Sequence, residues 1–146
     1  VIPVVLGLAF MVTGCSLPHG PPEVTTVVVD GRSQSITGPT ECIAQPGGGL
    51  LILANGKGHD RLRALLDRTG RLTLVKVSLR VGDTRGYSEN SAEMSATRAD
   101  GLYTISGSIP PNEGEVAAHQ FQIQVTCTSE ISANLPSPGI ANMGGP

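Results

Sequence analysis

A chain of 146 residues with a net charge of −2 has no basic field to neutralise phosphates, which excludes nucleic acid as a default partner. Aromatic residues make up 3% and tryptophan is absent, so a core must come from Val, Ile and Leu, which favours β structure. The 19 glycines and 11 prolines fit many turns and argue against a helical bundle, and the length suits one domain.

Residues 1–12 are apolar and uncharged and lead into Val12-Thr13-Gly14-Cys15. This is the layout of a bacterial lipoprotein signal. An apolar run is followed by a lipobox of one medium aliphatic residue, Val12, and two small ones, Thr13 and Gly14, and then by the cysteine. Small residues let an extended backbone enter a membrane peptidase, and only a thiol takes a diacylglyceryl group as a thioether. The reading makes 1–14 a signal peptide, incomplete at its N-terminus for want of a basic n-region, and makes Cys15 the lipidated residue. The alternatives are an ordinary secretory h-region or a buried strand and turn. The run is shorter than the roughly 20 residues of a membrane-spanning helix. Three acyl chains exceed the two signals that give stable anchoring.

Residues 15–23, with Pro18, Pro21 and Pro22, read as a short tether, because proline lacks a donor and fixes its backbone angle. In extended form the eight residues after Cys15 span roughly 25 Å. The β-branched run Val24–Val29 stops at Asp30-Gly31, a strong hairpin signal, and residues 33–37 return beside it. Cys42 begins another short strand, residues 45–49 form a loop, and 50–53 is a buried strand ended by Asn55-Gly56.

Residues 60–68 are the one helical candidate: Asp60 caps the N-terminus, Leu62, Leu65 and Leu66 share a face, and Gly70 closes the end. Residues 72–79 then form a long strand turned by Gly82-Asp83, with weaker strands at Gly86-Tyr87 and 94–98. Asp100-Gly101 is a second hairpin turn before Leu102–Ile109, and residues 110–114 are an exposed turn. In the last strand Phe121, Ile123, Val125 and Cys127 point one way and Gln122, Gln124 and Thr126 the other. The expected domain is therefore 24–130, followed by a disordered tail, 131–146.

Of the three cysteines, Cys15 is assigned to lipid, leaving Cys42 and Cys127, the number for one disulfide in an exported protein. Two separate buried thiols remain the alternative. No Cys-x-x-Cys or paired histidines complete a metal site, and no cofactor is implied. His19, His59 and His119 show no ligand spacing, and no Gly-x-Ser-x-Gly elbow accompanies His59-Asp60. His59 reads as a loop histidine and His119 as one on a strand surface. Asn55-Gly56-Lys57-Gly58 fails as a phosphate loop, since Gly58 follows Lys57 and the first glycine would have to be Leu51. Lys57, Arg61, Arg63, Arg68 and Arg71 form the most basic region, read as a solvated amphipathic face in preference to a contact with anionic lipid headgroups.

Taken together, the sequence resembles the mycobacterial nineteen-kilodalton lipoprotein antigen family. The match is carried by Val27-Val28-Val29-Asp30-Gly31, Gln34, Thr37-Gly38, Cys42, Gly86-Tyr87, Ser95-Ala96-Thr97, Asp100-Gly101, Tyr103-x-Ile105-x-Gly107 and Phe121-x-Ile123-x-Val125-Thr126-Cys127. The resemblance implies an acylated protein on the outer side of the cell membrane or in the cell wall, lipidated at Cys15, with Cys42 and Cys127 as the disulfide pair. It also implies lipoprotein-processing enzymes and host lipoprotein receptors as partners, and no established reaction. In place of the family antigen's long Thr-rich glycosylated segment this chain offers Ser16, Thr25 and Thr26, and it continues past Cys127.

The expected fold is α+β, mainly antiparallel sheet with one short helix packed on it and one disulfide. The expected function is that of a non-catalytic, surface-exposed envelope antigen anchored in the membrane through Cys15. The alternative is a carrier that holds a lipid or other apolar molecule between the sheet, at Leu50 to Leu53, and a helix bearing Leu62, Leu65 and Leu66.

Overall fold

The computed structural model describes residues 24–133. Residues 1–23 and 134–146 lie outside the described residues, and with them the lipobox, Cys15, the tether and most of the expected tail. The described residues form eleven strands: β1 Val24–Val29, β2 Arg32–Thr37, β3 Thr40–Ala44, β4 Gly49–Asn55, β5 Arg61–Asp67, β6 Thr73–Val81, β7 Thr84–Ser88, β8 Met94–Ala99, β9 Leu102–Ile109, β10 His119–Thr126 and β11 Ile131–Ser132. A single 3-10 turn, Ser91–Glu93, precedes β8.

The strands divide into two sheets, one in the order β2-β1-β10-β9-β8 and one in the order β11-β3-β4-β5-β6-β7. Every pairing is antiparallel except β11 with β3. Along β2, Gly38 at its end meets Asn55, Ile36 meets Gly56, and Gln34 meets Gly82. Asn55 and Gly56 lie at the end of β4 and Gly82 at the end of β6, with β5 between those two strands. Strand β2 therefore runs across strand ends, as in an orthogonal packing. The two inner faces meet in a core of Val27, Ile36, Leu50, Ile52, Leu62, Leu66, Leu74, Val77, Tyr103, Ile105, Ile109 and Ile123, each no more than 1% exposed. Burying side chains of this size contributes about 1.5–3 kcal/mol each before conformational entropy is subtracted.

Both Asp-Gly turns form as read. Asp30 and Gly31 have φ of 50° and 78°, Asp100 and Gly101 49° and 80°, the left-handed pair that a two-residue hairpin matched to strand twist requires. The period-two reading of the last strand also holds, with Phe121, Ile123 and Val125 buried and Gln122, Gln124 and Thr126 exposed.

The helix expected over 60–68 does not exist, so the fold is nearly all β and not α+β. Residues Arg61–Asp67 are a central strand, hydrogen-bonded to β4 on one side and β6 on the other. The segment Arg-Leu-Arg-Ala-Leu-Leu-Asp satisfies both periods. Read at period two it places Leu62, Ala64 and Leu66 inward, all at 0% exposure. An isolated helix of two turns is too short to be stable by itself, whereas a strand here satisfies the backbone groups of two neighbours. Asp60 is not a helix cap; its carboxylate accepts a hydrogen bond from the Gly82 amide at 3.1 Å.

Cys42 of β3 and Cys127, one residue past β10, are joined by a disulfide with Cα atoms 5.9 Å apart. It bridges the two sheets. Beyond it, Arg68 pairs with Glu130 at 2.7 Å, and Ile131–Ser132 runs beside Ile43 and Ala44. The ordered sheet thus extends two residues past the domain end read from sequence.

Candidate functional site

The residues singled out in the sequence fall into three groups in space. The first is the end of the sandwich where the described chain begins. Val24 lies opposite Thr37, and the Cys127 amide donates to the Gly101 carbonyl at 2.9 Å. Val24, the first described residue, thus lies at the end of the first sheet that holds Cys127. Sheet pairing made this visible; sequence spacing could not.

The second group is at the opposite end of the first sheet. His119 opens β10, and its ring is held on both sides, Nδ1 against Asp30 Oδ2 at 2.6 Å and Nε2 against Glu115 Oε2 at 2.5 Å. Asp30 Oδ1 also accepts the Gln120 amide at 2.9 Å, and Glu115 Oε2 accepts the Asn112 amide at 2.9 Å. One imidazole thus ties the β1–β2 turn, the 112–115 turn and β10 together. Two carboxylates require two N–H donors, so the ring is held as imidazolium. Hydrogen bonds to Asp30 and then Glu115 raise the His119 pKa above its ordinary value. Asp30 is lowered, first by its bond to His119, and Glu115 is lowered, first by the Asn112 amide and then by His119.

The sign of the pH dependence follows. The part due to His119 is complete below its ordinary pKa, about 6.5, and is lost as pH rises through the raised value. The part due to the carboxylates is present above about 4.5 and is lost as pH falls through the lowered values. Protection of the amides in the 112–118 segment, with the intrinsic pH dependence of exchange divided out, is therefore expected to be greatest between those limits and to fall as His119 deprotonates, with His119→Gln removing that alkaline loss. An NMR titration checks this; a His119 that titrates at or below the ordinary value would refute the staple.

The two carboxylates lie on opposite ring nitrogens of His119 and do not converge on a point, and among the described residues no group of three His, Cys, Asp or Glu is placed to hold a metal. Neither ring nitrogen has a lone pair to offer a hydroxyl or thiol nucleophile. Sequence inspection missed the arrangement because Asp30 and His119 are 89 positions apart. Only the i,i+4 spacing of Glu115 and His119 was visible locally.

The third group is the region of His59. His59 and Lys57 are exposed in the β4–β5 loop, and Asp60 is engaged by Gly82 instead of by His59. The leucines proposed to line a carrier cavity divide. Leu50, Ile52, Leu62 and Leu66 fill the core at 0% exposure, while Leu65 lies on the outer face.

A model of the Mycobacterium 19 kDa lipoprotein antigen matches residues 18–127. The chain belongs to that family. The matched segment spans β1 to β10 and closes on the second half-cystine, so the 19 kDa antigen unit is the two-sheet sandwich with its bridge, and β11 is added to it. No curated protein sequence matches the chain.

Proposed function

We propose that this chain is an acylated envelope lipoprotein that displays a disulfide-locked β-sandwich from Cys15 on the outer side of the cell membrane, as a surface antigen without a catalytic role. The observation that carries the reading is Val12-Thr13-Gly14-Cys15 placed three residues ahead of a lipoprotein-antigen family match that begins at residue 18. A disulfide between sheets fits an oxidising, extracytoplasmic location. The His119 ring, occupied on both nitrogens, supports a non-catalytic role. On this reading the processing enzymes that act on Cys15 and host receptors that recognise acyl chains are the partners.

The test is Cys15→Ala. The wild-type chain should enter the detergent phase on cloud-point separation, and the variant should move to the aqueous phase. Each buried methylene of an acyl chain contributes about 0.8 kcal/mol, so the shift should be essentially complete. Equal partition of the two would sink the anchor.

A further inference from the structure

The two outer faces of the sandwich differ in charge. On the five-stranded sheet the outward positions are the alternate residues 24–28, 33–37, 95–99, 102–108 and 120–126, and none is Asp, Glu, Lys or Arg. Ser, Thr and Gln predominate there. On the second sheet, Arg61 lies directly opposite Arg80, and Arg80 directly opposite Arg85. Arg63 and Lys76 are on the same face, so five of the ten Lys and Arg of the chain share it.

Like charges directly opposite on neighbouring strands destabilise a sheet. No ion pair among the described residues reaches Arg61, Arg80 or Arg85. The acids nearby are engaged elsewhere. Asp60 accepts from the Gly82 amide, Asp67 from the Thr69 amide and hydroxyl, and Glu89 from Tyr87 while pairing with Lys76. Exposed Glu41 and Asp83 remain at the rims. Below the arginine row the face carries an apolar row, with Ile43 opposite Leu51 and Leu51 opposite Leu65, which ends on Lys76. A row of guanidinium groups beside half-buried Ile43 and Leu65, with Leu51 fully buried between them, is the composition of a surface that lies at a lipid interface, where arginine stems pack along apolar surface and the heads meet phosphate.

We propose that this face, centred on Arg61, Arg80 and Arg85, seats the domain on the anionic phosphate headgroups of the bilayer. The proposal deepens the anchoring reading and rests on it for proximity. Only eight residues separate Cys15 from Val24, a reach of roughly 25 Å, comparable to the width of a small domain. Such a leash lets the domain lie on its side. The uncharged face of the other sheet then points away from the membrane. Because strand β5 supplies Arg61 and Arg63 while Arg68 turns to Glu130, only the strand geometry assembles the row.

The test uses the full chain with a nitroxide at Ser78→Cys, in the middle of the arginine face, or at Thr104→Cys, in the middle of the opposite one. It is bound to phosphatidylcholine vesicles with and without an equal part of phosphatidylglycerol. On the mixed vesicles the Ser78 label should lose access to an aqueous nickel chelate and gain access to oxygen, while the Thr104 label stays water-accessible. Arg61→Gln with Arg80→Gln and Arg85→Gln should weaken seating on the order of a hundredfold and restore water access at Ser78. The substitutions remove like-charge repulsion, so they should not impair folding. A Ser78 label as water-accessible as the Thr104 label on mixed vesicles, or one unchanged by the triple substitution, would overturn the proposal while leaving the anchor intact. If instead Cys15 is not acylated, it takes up a second label and the chain fails to float with neutral vesicles. That result removes the anchor and, with it, the proximity on which the seating rests.

Discussion

Cys42→Ala combined with Cys127→Ala is expected to lower the free energy of unfolding by roughly 4–5 kcal/mol on the chain-entropy account. The bridge closes a loop of 85 residues, which contains every strand from β4 to β10 and most of β3. Long loops gain most from cross-linking, since the unfolded chain has more freedom to lose. The position adds to the effect. Within each sheet the strands are held by backbone hydrogen bonds, whereas the interlayer is filled mainly by apolar contact, and the bond between Cys42 and Cys127 adds a covalent link there to the chain's own crossovers. Cys42 is 4% exposed, so the alanine also leaves a small void. Denaturant unfolding of the oxidised protein and the double variant, compared at equal slope, measures the difference. A loss below about 1 kcal/mol would mean that the unfolded state keeps the two segments together without the bond.

Where the sequence was legible and where it was not has a physical pattern. The Asp-Gly turns, the alternation at Phe121 to Val125 and the pairing of the two half-cystines are local or nearly unique signals, and the structure reproduces them. The segment from Arg61 to Asp67 was misread because leucine, alanine and arginine favour helix intrinsically and Leu62, Leu65 and Leu66 fall on one helical face. Tertiary demand decided otherwise. Strands β4 and β6 each present an open row of amides and carbonyls, and β5 fills the space between them. The informative residue was Ala64. At period two it completes an inward Leu-Ala-Leu row, and at helical spacing it contributes nothing. The same misreading hid the arginine row, because Arg61 and Arg80 become neighbours only when β5 is a strand paired with β6. The His119 staple was hidden for a related reason, since Asp30 reaches it through the β1–β10 pairing.

Gly38→Ala should be the most damaging single small substitution in the described chain, at roughly 3 kcal/mol or somewhat more. Gly38 and Pro39 are the only residues between β2 of one sheet and β3 of the other, so the chain changes layers in two residues. The Pro39 carbonyl accepts the Asn55 amide at 3.2 Å, which draws the crossover onto the end of β4. A Cβ on Gly38 would be driven into the Asn55 carbonyl oxygen, with its carbon 3.0 Å away and the Gly56 Cα 3.4 Å away. All three are backbone atoms, so no side chain can rotate aside. Relief requires moving β4 or the crossover, and β4 is a central strand with a buried inner face. Gly70→Ala is the control. It has open space and no positive φ, so it should change stability by no more than about 0.5 kcal/mol. Thermal or denaturant unfolding of the two variants side by side decides the matter: equal midpoints would show that the crossover is free to shift, and the close approach at Asn55 would then be no constraint on the fold.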